Sequence, residues 1–139
     1  EYYCVDILRV QEILGFNDMT RVPNTPEFVK GVLNLRGAIV PVIDLRARFD
    51  LAKTDHSKTT VIVVLSVKTA NRDKVVGIVV DAVSDVLNIT KGAIKPVPET
   101  GTKVETEFLT GLVSSDSRMV MIMNIDNLLD PEHFMEINI

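Results

Sequence analysis

Tryptophan is absent from this chain of 139 residues, Phe and Tyr supply only 5% of it, and cysteine occurs once, as Cys4. A single thiol excludes an internal disulfide and a cysteine-built metal cluster, and within an apolar stretch Cys4 reads as a small buried hydrophobe. Long hydrophobic runs are also missing. Val61 to Leu65 and Met119 to Met123 are the longest, far short of the roughly 20 residues that cross a bilayer. With no signal-peptide pattern at the start, the expectation is a cytoplasmic protein without direct membrane insertion. Lys and Arg number 15 against 19 Asp and Glu, a net charge of −4. They form no basic cluster interleaved with aromatics, which excludes nucleic acid as a partner. HExxH, GxSxG, GxGxxG and P-loop patterns are all lacking. His56 in the polar stretch Ala52 to Lys58 and His133 beyond Pro131 read as ordinary surface side chains. The sequence therefore offers no catalytic set, no metal site and no cofactor site.

What is present is aliphatic. Hydrophobic residues make up 46% of the chain, so the core is built mainly from Val, Ile and Leu, whose branching suits strands. The length fits one domain. Within it the sequence echoes itself. Val10-Gln-Glu-Ile-Leu14 returns as Val83-Ser-Asp-Val-Leu87, Val22-Pro-Asn-Thr25 as Val97-Pro-Glu-Thr100, Glu27-Phe-Val-Lys-Gly31 as Glu107-Phe-Leu-Thr-Gly111, and Ile43-Asp44 as Ile125-Asp126. The order is kept and the drift in offset falls in turns, as a duplication requires. Residues 1–58 and 59–130 then form two similar β units, with a tail over 131–139, fused into a single domain over 1–139 because each unit alone is marginal in size.

Strands are expected at Tyr2 to Leu8, Gly31 to Leu35, Ala38 to Asp44, Thr59 to Val67, Lys74 to Asp81, Thr110 to Ser114 and Met119 to Ile125, most of them bounded by turn residues. Arg36-Gly37 reads as a two-residue hairpin turn, and Asn71 to Asp73 and Ser115 to Ser117 as polar hairpin loops. Pro41 lacks the ladder N–H and belongs on an edge or at a bulge. Short helical connectors are expected at Asp44 to Phe49 and Asp126 to Leu129, each with its Asp as N-cap. Capping is the simpler role for these two carboxylates than a catalytic pair. Met119, Met121 and Met123 share one strand face, expected to be core, though Met also suits adaptable binding surfaces. Strands at short spacing point to an all-β fold of small closed barrels, which remove exposed edges.

Two polar residues stand out against apolar surroundings: Glu12, and Arg36 at the Asn34-Leu-Arg-Gly37 turn. As a surface ion pair they contribute about 0–1 kcal/mol. As a rigid Arg beside exposed aliphatics they have the character of an interface anchor. The pattern alone leaves both readings open.

Asp6-Ile-Leu-Arg-Val-Gln-Glu-Ile-Leu14, Val22-Pro-Asn-Thr-Pro26, Phe28-Val-Lys-Gly-Val-Leu-Asn-Leu-Arg-Gly37, Ile39-Val-Pro-Val-Ile-Asp-Leu-Arg46, Val76 to Leu87 and Phe108-Leu-Thr-Gly-Leu112 together closely resemble the CheW family of bacterial chemotaxis coupling proteins. The resemblance spans nearly the whole chain. It implies two intertwined five-stranded β-barrel subdomains sharing a hydrophobic core, with short connecting helices. It also implies a non-catalytic adaptor between the cytoplasmic tips of methyl-accepting chemoreceptors and the histidine kinase CheA in membrane-associated arrays, with other CheW-like domains as further partners. By the same resemblance Val10, Glu12, Arg36 and Val86 are receptor-binding positions and Lys95 a kinase-binding one. The alternative is a CheW-like module of a larger signalling protein, either fused to a receiver or forming the kinase's own regulatory domain. By the same resemblance a further strand and a short tail are expected before the position of Glu1, and a protein that truly lacked that strand would have one barrel with an open edge.

Overall fold

The computed structural model describes residues 2–16, 19–20, 29–45, 59–68, 73–83, 86–97, 108–115 and 117–129. Eight strands run β1 (Tyr2–Cys4), β2 (Val10–Gly15), β3 (Val29–Leu35), β4 (Ala38–Asp44), β5 (Val61–Lys68), β6 (Asp73–Val80), β7 (Leu109–Ser115) and β8 (Arg118–Met123), followed by one helical turn, α1 (Ile125–Leu128). They form two sheets, ordered β2-β5-β6-β4-β3 and β1-β8-β7. The first strand of the chain thus completes a sheet made from its last two. The fold is all-β and intertwined. The smaller sheet has three strands among the described residues, where five were expected.

Two hairpins correspond in their hydrogen bonding. Hairpins β3–β4 and β7–β8 repeat at an offset of 80, each with a register shift, between Val29 and Gly31 in one and between Leu109 and Gly111 in the other. Each first strand also receives an isolated bridge, Thr20 to Val32 and Lys95 to Leu112. Parallel pairing matches as well: Val42 faces Gly77 in β6, and Ile122 faces Cys4 in β1. β1 is therefore the counterpart of β6. The echo between Val10–Leu14 and Val83–Leu87 is not matched in structure, since the first is β2 while Val86 and Leu87 lie outside any strand.

Two apolar clusters hold the sheets. Val63, Leu65 and Val67 of β5 and Val76 and Ile78 of β6 meet Leu109, Met123, Ile125, Leu128 and Leu129 in a core shared by both sheets. Ile62, Val64 and Val79 join Leu33, Val40 and Val42 in the interior of the larger sheet. β5 is buried on both faces, which is why its sequence is a continuous apolar run rather than an alternating one. Each fully buried Val or Ile contributes about 1.5–3 kcal/mol. The register shifts do the switching. Val29 lies in the shared core, whereas Leu33, four residues on and past the shift, lies in the sheet's own interior. An extra residue in one strand reverses which face the following side chains occupy.

Several expectations are corrected. The first strand ends at Cys4, and Ile7–Arg9 is a 3-10 turn capped by Asp6, whose Oδ1 accepts from the Leu8 N–H at 3.0 Å. Asp competes for local backbone donors and stops the strand. β2 was not anticipated at all. Pro41 sits in an inner strand, but parallel pairing of β4 with β6 begins only at Val42, so its missing N–H falls just outside that ladder. Ile125 starts the helical turn instead of ending β8, and the cap is Asn124, whose side chain accepts from the Asn127 N–H at 3.3 Å. Asp126, expected as that cap, is engaged elsewhere. Asp44 is buried at the end of β4, and the rest of its expected helix, 46–49, lies outside the described residues, as do His56 and His133. Met121 and Met123 pack on the shared core while Met119, nearer the hairpin tip, is exposed. Cys4 is half-buried, and desolvation raises its thiol pKa. Among the described residues no helix is long and apolar enough to cross a membrane.

Candidate functional site

Arg36 and Gly37 join β3 to β4 with both residues at positive φ, 51° and 88°. These are the values of a type I′ turn, whose twist matches that of a hairpin and which favours Asn-Gly. Gly meets that requirement without cost. Arg does not, and holding a non-glycine residue there costs about 1 kcal/mol. The Asn34 side chain braces the turn, its Oδ1 accepting from the Gly37 N–H at 3.0 Å. Replacing Asn34 by Ala is expected to cost about 1 kcal/mol in chemical denaturation and to leave the shared core intact by near-UV dichroism.

The guanidinium of Arg36 is 69% exposed and donates through Nη1 to Glu12 Oε1 at 2.9 Å. Glu12 reaches it because of a bulge in β2. Val10 pairs with Leu65, yet Glu12 pairs with Val64, so Gln11 is the extra residue. Leu65 belongs to the shared core and Val64 to the interior of the larger sheet. The bulge therefore turns Val10 toward one and Glu12 toward the other. Glu12 Oε2 is buried and has no hydrogen-bond partner among the described residues. A carboxylate oxygen out of water and without a donor is costly and is a group that an incoming donor would satisfy.

The five positions singled out from the sequence are thus not equivalent. Glu12 and Arg36 are brought together. Val10 is half-buried and packed against the shared core, so it supports β2 from beneath. Val86 is 67% exposed, with Val83 also exposed nearby in sequence. Lys95 is exposed and exchanges backbone hydrogen bonds of 2.9 Å with Leu112, bridging to β7. Among the described residues no hydrogen bond or ion pair joins Val86 or Lys95 to the Glu12–Arg36 pair. Ile13 on the outer face of β2, Ile39 beyond the turn, and Ile7 and Leu8 in the 3-10 turn are exposed aliphatics that the sequence reading did not single out. Periodicity could have shown Ile39, since it alternates with the buried Val40 and Val42.

Sequence reading also missed the ion pair between Arg9 and Asp126. Arg9 donates through Nη1 and Nη2 to the two carboxylate oxygens, each at 2.8 Å, and through Nη1 to the Ser66 carbonyl at 3.0 Å. The Lys68 backbone N–H adds a bond of 2.8 Å to Oδ1. The hydrogen bonds from Arg9 and, after them, from Lys68 hold the Asp126 carboxyl below its ordinary pKa, against desolvation. A depressed folded-state pKa gives stability that is full above the unfolded value of about 3.9 and is lost as pH falls through the folded one. Asp126→Asn is therefore expected to destabilise the protein by about 2 kcal/mol at pH 7. Urea titrations from pH 7 down to 2.5 should show that difference constant to about pH 5 and shrinking below pH 4; a difference that persists unchanged at pH 2.5 would assign it to something other than the charge.

The described residues form an intertwined β scaffold with an exposed charged turn, and among them no group of three or more His, Cys, Asp or Glu stands where it could hold a metal ion. Residues 1–133 match the CheW-like domain, and the chain belongs to that family. It is 48% identical over 132 residues to "Chemotaxis protein CheW" of Klebsiella aerogenes, covering 95% of this chain and 77% of that protein. A "Probable chemotaxis protein CheW" of Rhizobium etli is 41% identical over 126 residues, covering 91% and 79%. The crystal structure of the scaffolding protein TtCheW from Thermoanaerobacter tengcongensis superposes with a TM-score of 0.80 at 36% identity, covering 92% of this chain and 80% of that one. The family is one of chemotaxis scaffold proteins and not of enzymes.

Proposed function

We propose that this protein couples methyl-accepting chemoreceptors to the histidine kinase CheA in cytoplasmic signalling arrays. On this reading Glu12 and Arg36 dock the receptor's cytoplasmic tip, Val86 adds apolar contact, Val10 holds β2 in place, and Lys95 faces the kinase's regulatory domain. The observation that carries it is the strained, exposed Arg36 paired with a carboxylate whose second oxygen lacks a donor. A hairpin built for stability would place Asn or Gly at that turn position. Strain kept at an exposed charged residue points to a role outside the fold. Residues 1–139 act as one scaffold on this view, with CheA and other CheW-like domains as neighbours.

The test is reconstitution with a receptor tip fragment and the kinase. Omitting this protein should abolish their association and the response of kinase output to receptor ligand; undiminished association without it would refute the assignment. Val86→Asp should weaken receptor coupling at least fivefold, whereas Val64→Ile, which adds one methylene to the buried interior, should alter the melt more than the coupling.

A further inference from the structure

We propose that Asp126, acting through Arg9, is the positioning residue of this docking surface: the clasp between them fixes the register of β2 that turns Glu12 toward Arg36. The proposal rests on the docking reading for its consequence, and on geometry for its cause.

The register observed in β2 is not dictated by its own side chains. With the bulge at Gln11, Ile13 is exposed while Glu12 Oε2 is buried without a donor among the described residues. Without the bulge, Gln11 would face Val64 and Glu12 would face Val63. Ile13 would then turn inward opposite Ile62, in exchange for Leu14. That register would exchange Leu14 for Ile13 and Glu12 for Gln11 on the face of Val64, leaving one aliphatic and one polar side chain there as before, and would move Glu12 to the face of Val63. A strand slips whenever neither face dictates its pairing, so an external restraint must select the observed register. The Glu12–Arg36 pair is too weak to be that restraint, because exposed ion pairs contribute only about 0–1 kcal/mol.

The restraint lies immediately before the strand. Arg9 ends the 3-10 turn that carries the chain from the smaller sheet to the larger. Its guanidinium is held in two directions by the Asp126 carboxylate and in a third by the Ser66 carbonyl. Asp126 is itself pinned to β5 by the Lys68 N–H, on a helical turn whose Ile125 and Leu128 are buried in the shared core. Bidentate Arg–carboxylate geometry fixes orientation as well as distance. It therefore anchors the residue preceding Val10 to the C-terminal end of β5, the strand on which β2 pairs. The slack of the bulge is thereby confined to Gln11, and Glu12 is delivered opposite Val64.

The experiment is a solution NMR comparison of the full chain with Asp126→Asn and, in case that variant folds poorly, with Arg9→Lys, which keeps the charge but cannot form the bidentate pair. In the parent protein the cross-strand proton contact of Glu12 is with Val64. In the variants a second contact, Glu12 to Val63, should appear, and exchange of the β2 amides should accelerate at least tenfold while amides of β3 and β4 are unaffected. Asp126→Glu should restore the parent pattern in part. Binding of a purified chemoreceptor tip fragment should fall at least tenfold in Asp126→Asn, with little further loss on adding Arg36→Glu, because both act on one surface. A Glu12–Val64 contact and β2 exchange unaltered in both variants would overturn the proposal. Exchange accelerated evenly over all strands would overturn it too, by reducing the clasp to general stability. Failure of the parent protein to bind the fragment would count against the docking reading alone, and the contact and exchange measurements would still decide the register.

Discussion

Arg36→Glu is expected, on the proposed docking role, to lower affinity for a chemoreceptor tip fragment by about thirtyfold in a calorimetric titration, the loss that follows when an interface Arg anchor worth about 2 kcal/mol is removed, and to shift the thermal midpoint by no more than about 2 °C. Both halves follow from the position of the side chain. It is 69% exposed, on a turn, and its partner within the chain is Glu12. Inverting its charge places two carboxylates together at the rim of the larger sheet, which repels any partner that presents an acidic group to Arg36. The pair removed contributes little to folding, and repulsion between exposed groups is screened by solvent. Arg36→Asn separates strain from recognition: Asn accepts positive φ readily, so this variant should melt at or slightly above the parent temperature while still losing the interaction. Parent-like binding by both variants would mean that the guanidinium does not dock the receptor, and the strain at the turn would have no functional account.

How much of this could be read from the sequence depended on whether the governing contact was local. Ala38 to Asp44 is strand β4 in full because the Arg36-Gly37 turn and alternating aliphatics define it from within. Of the ordered echoes, the one that pairs Gly31 with Gly111 has the offset of 80 at which the two hairpins repeat their bulges and bridges, whereas Ile43-Asp44 ends a strand and Ile125-Asp126 opens a helical turn. β2 was invisible for a physical reason. Burial alternates along it, but residue type runs against that alternation, with Glu12 at an inward position and Ile13 beside it exposed, so the polarity pattern by which a strand is recognised is missing. Asp126 misled for a related reason: two Asx-type residues stand within three positions of each other, either could cap, and what decides between them is an arginine 117 residues away. At the site, opposite charge made a Glu12–Arg36 pairing conceivable. The orphaned Oε2 and the strained turn are properties of coordinates, with no local signature.

Gly111→Ala should be the most destabilising small substitution in the protein, and a series of three glycines tests why. A β-carbon at Gly111 would lie 2.6 Å from Ile94 Cγ2 and 2.9 Å from the Lys95 carbonyl oxygen. The side-chain contact could yield by rotation. The carbonyl cannot, because Lys95 is tied to Leu112 by two backbone hydrogen bonds of 2.9 Å each, so the whole bridge to β7 must move. Overpacking of this kind costs about 1–3 kcal/mol, and breaking the bridge adds roughly 1 kcal/mol for each backbone hydrogen bond lost, giving about 3–5 kcal/mol. At Gly77 the close neighbours of the new carbon are side chains, Ile62 Cγ2 at 3.0 Å and Val42 Cγ2 at 3.4 Å, both fully buried, and the Pro41 carbonyl oxygen is in ordinary contact at 3.7 Å. Gly77→Ala should cost about 1–2 kcal/mol. Gly92, in the 3-10 turn Lys91–Ala93, has nothing within 4 Å of that position, so Gly92→Ala should change stability by less than about 0.5 kcal/mol in either direction. Urea denaturation of the three variants should return that order. Because Lys95 rides on the bridge that Gly111 admits, Gly111→Ala should also displace the side chain proposed to meet the kinase, and its affinity for the CheA regulatory domain should fall even at temperatures well below its melt. An alanine at 111 tolerated as well as one at 92 would mean that the bridge between Lys95 and Leu112 is loose, and a lysine carried on it could not be a fixed contact.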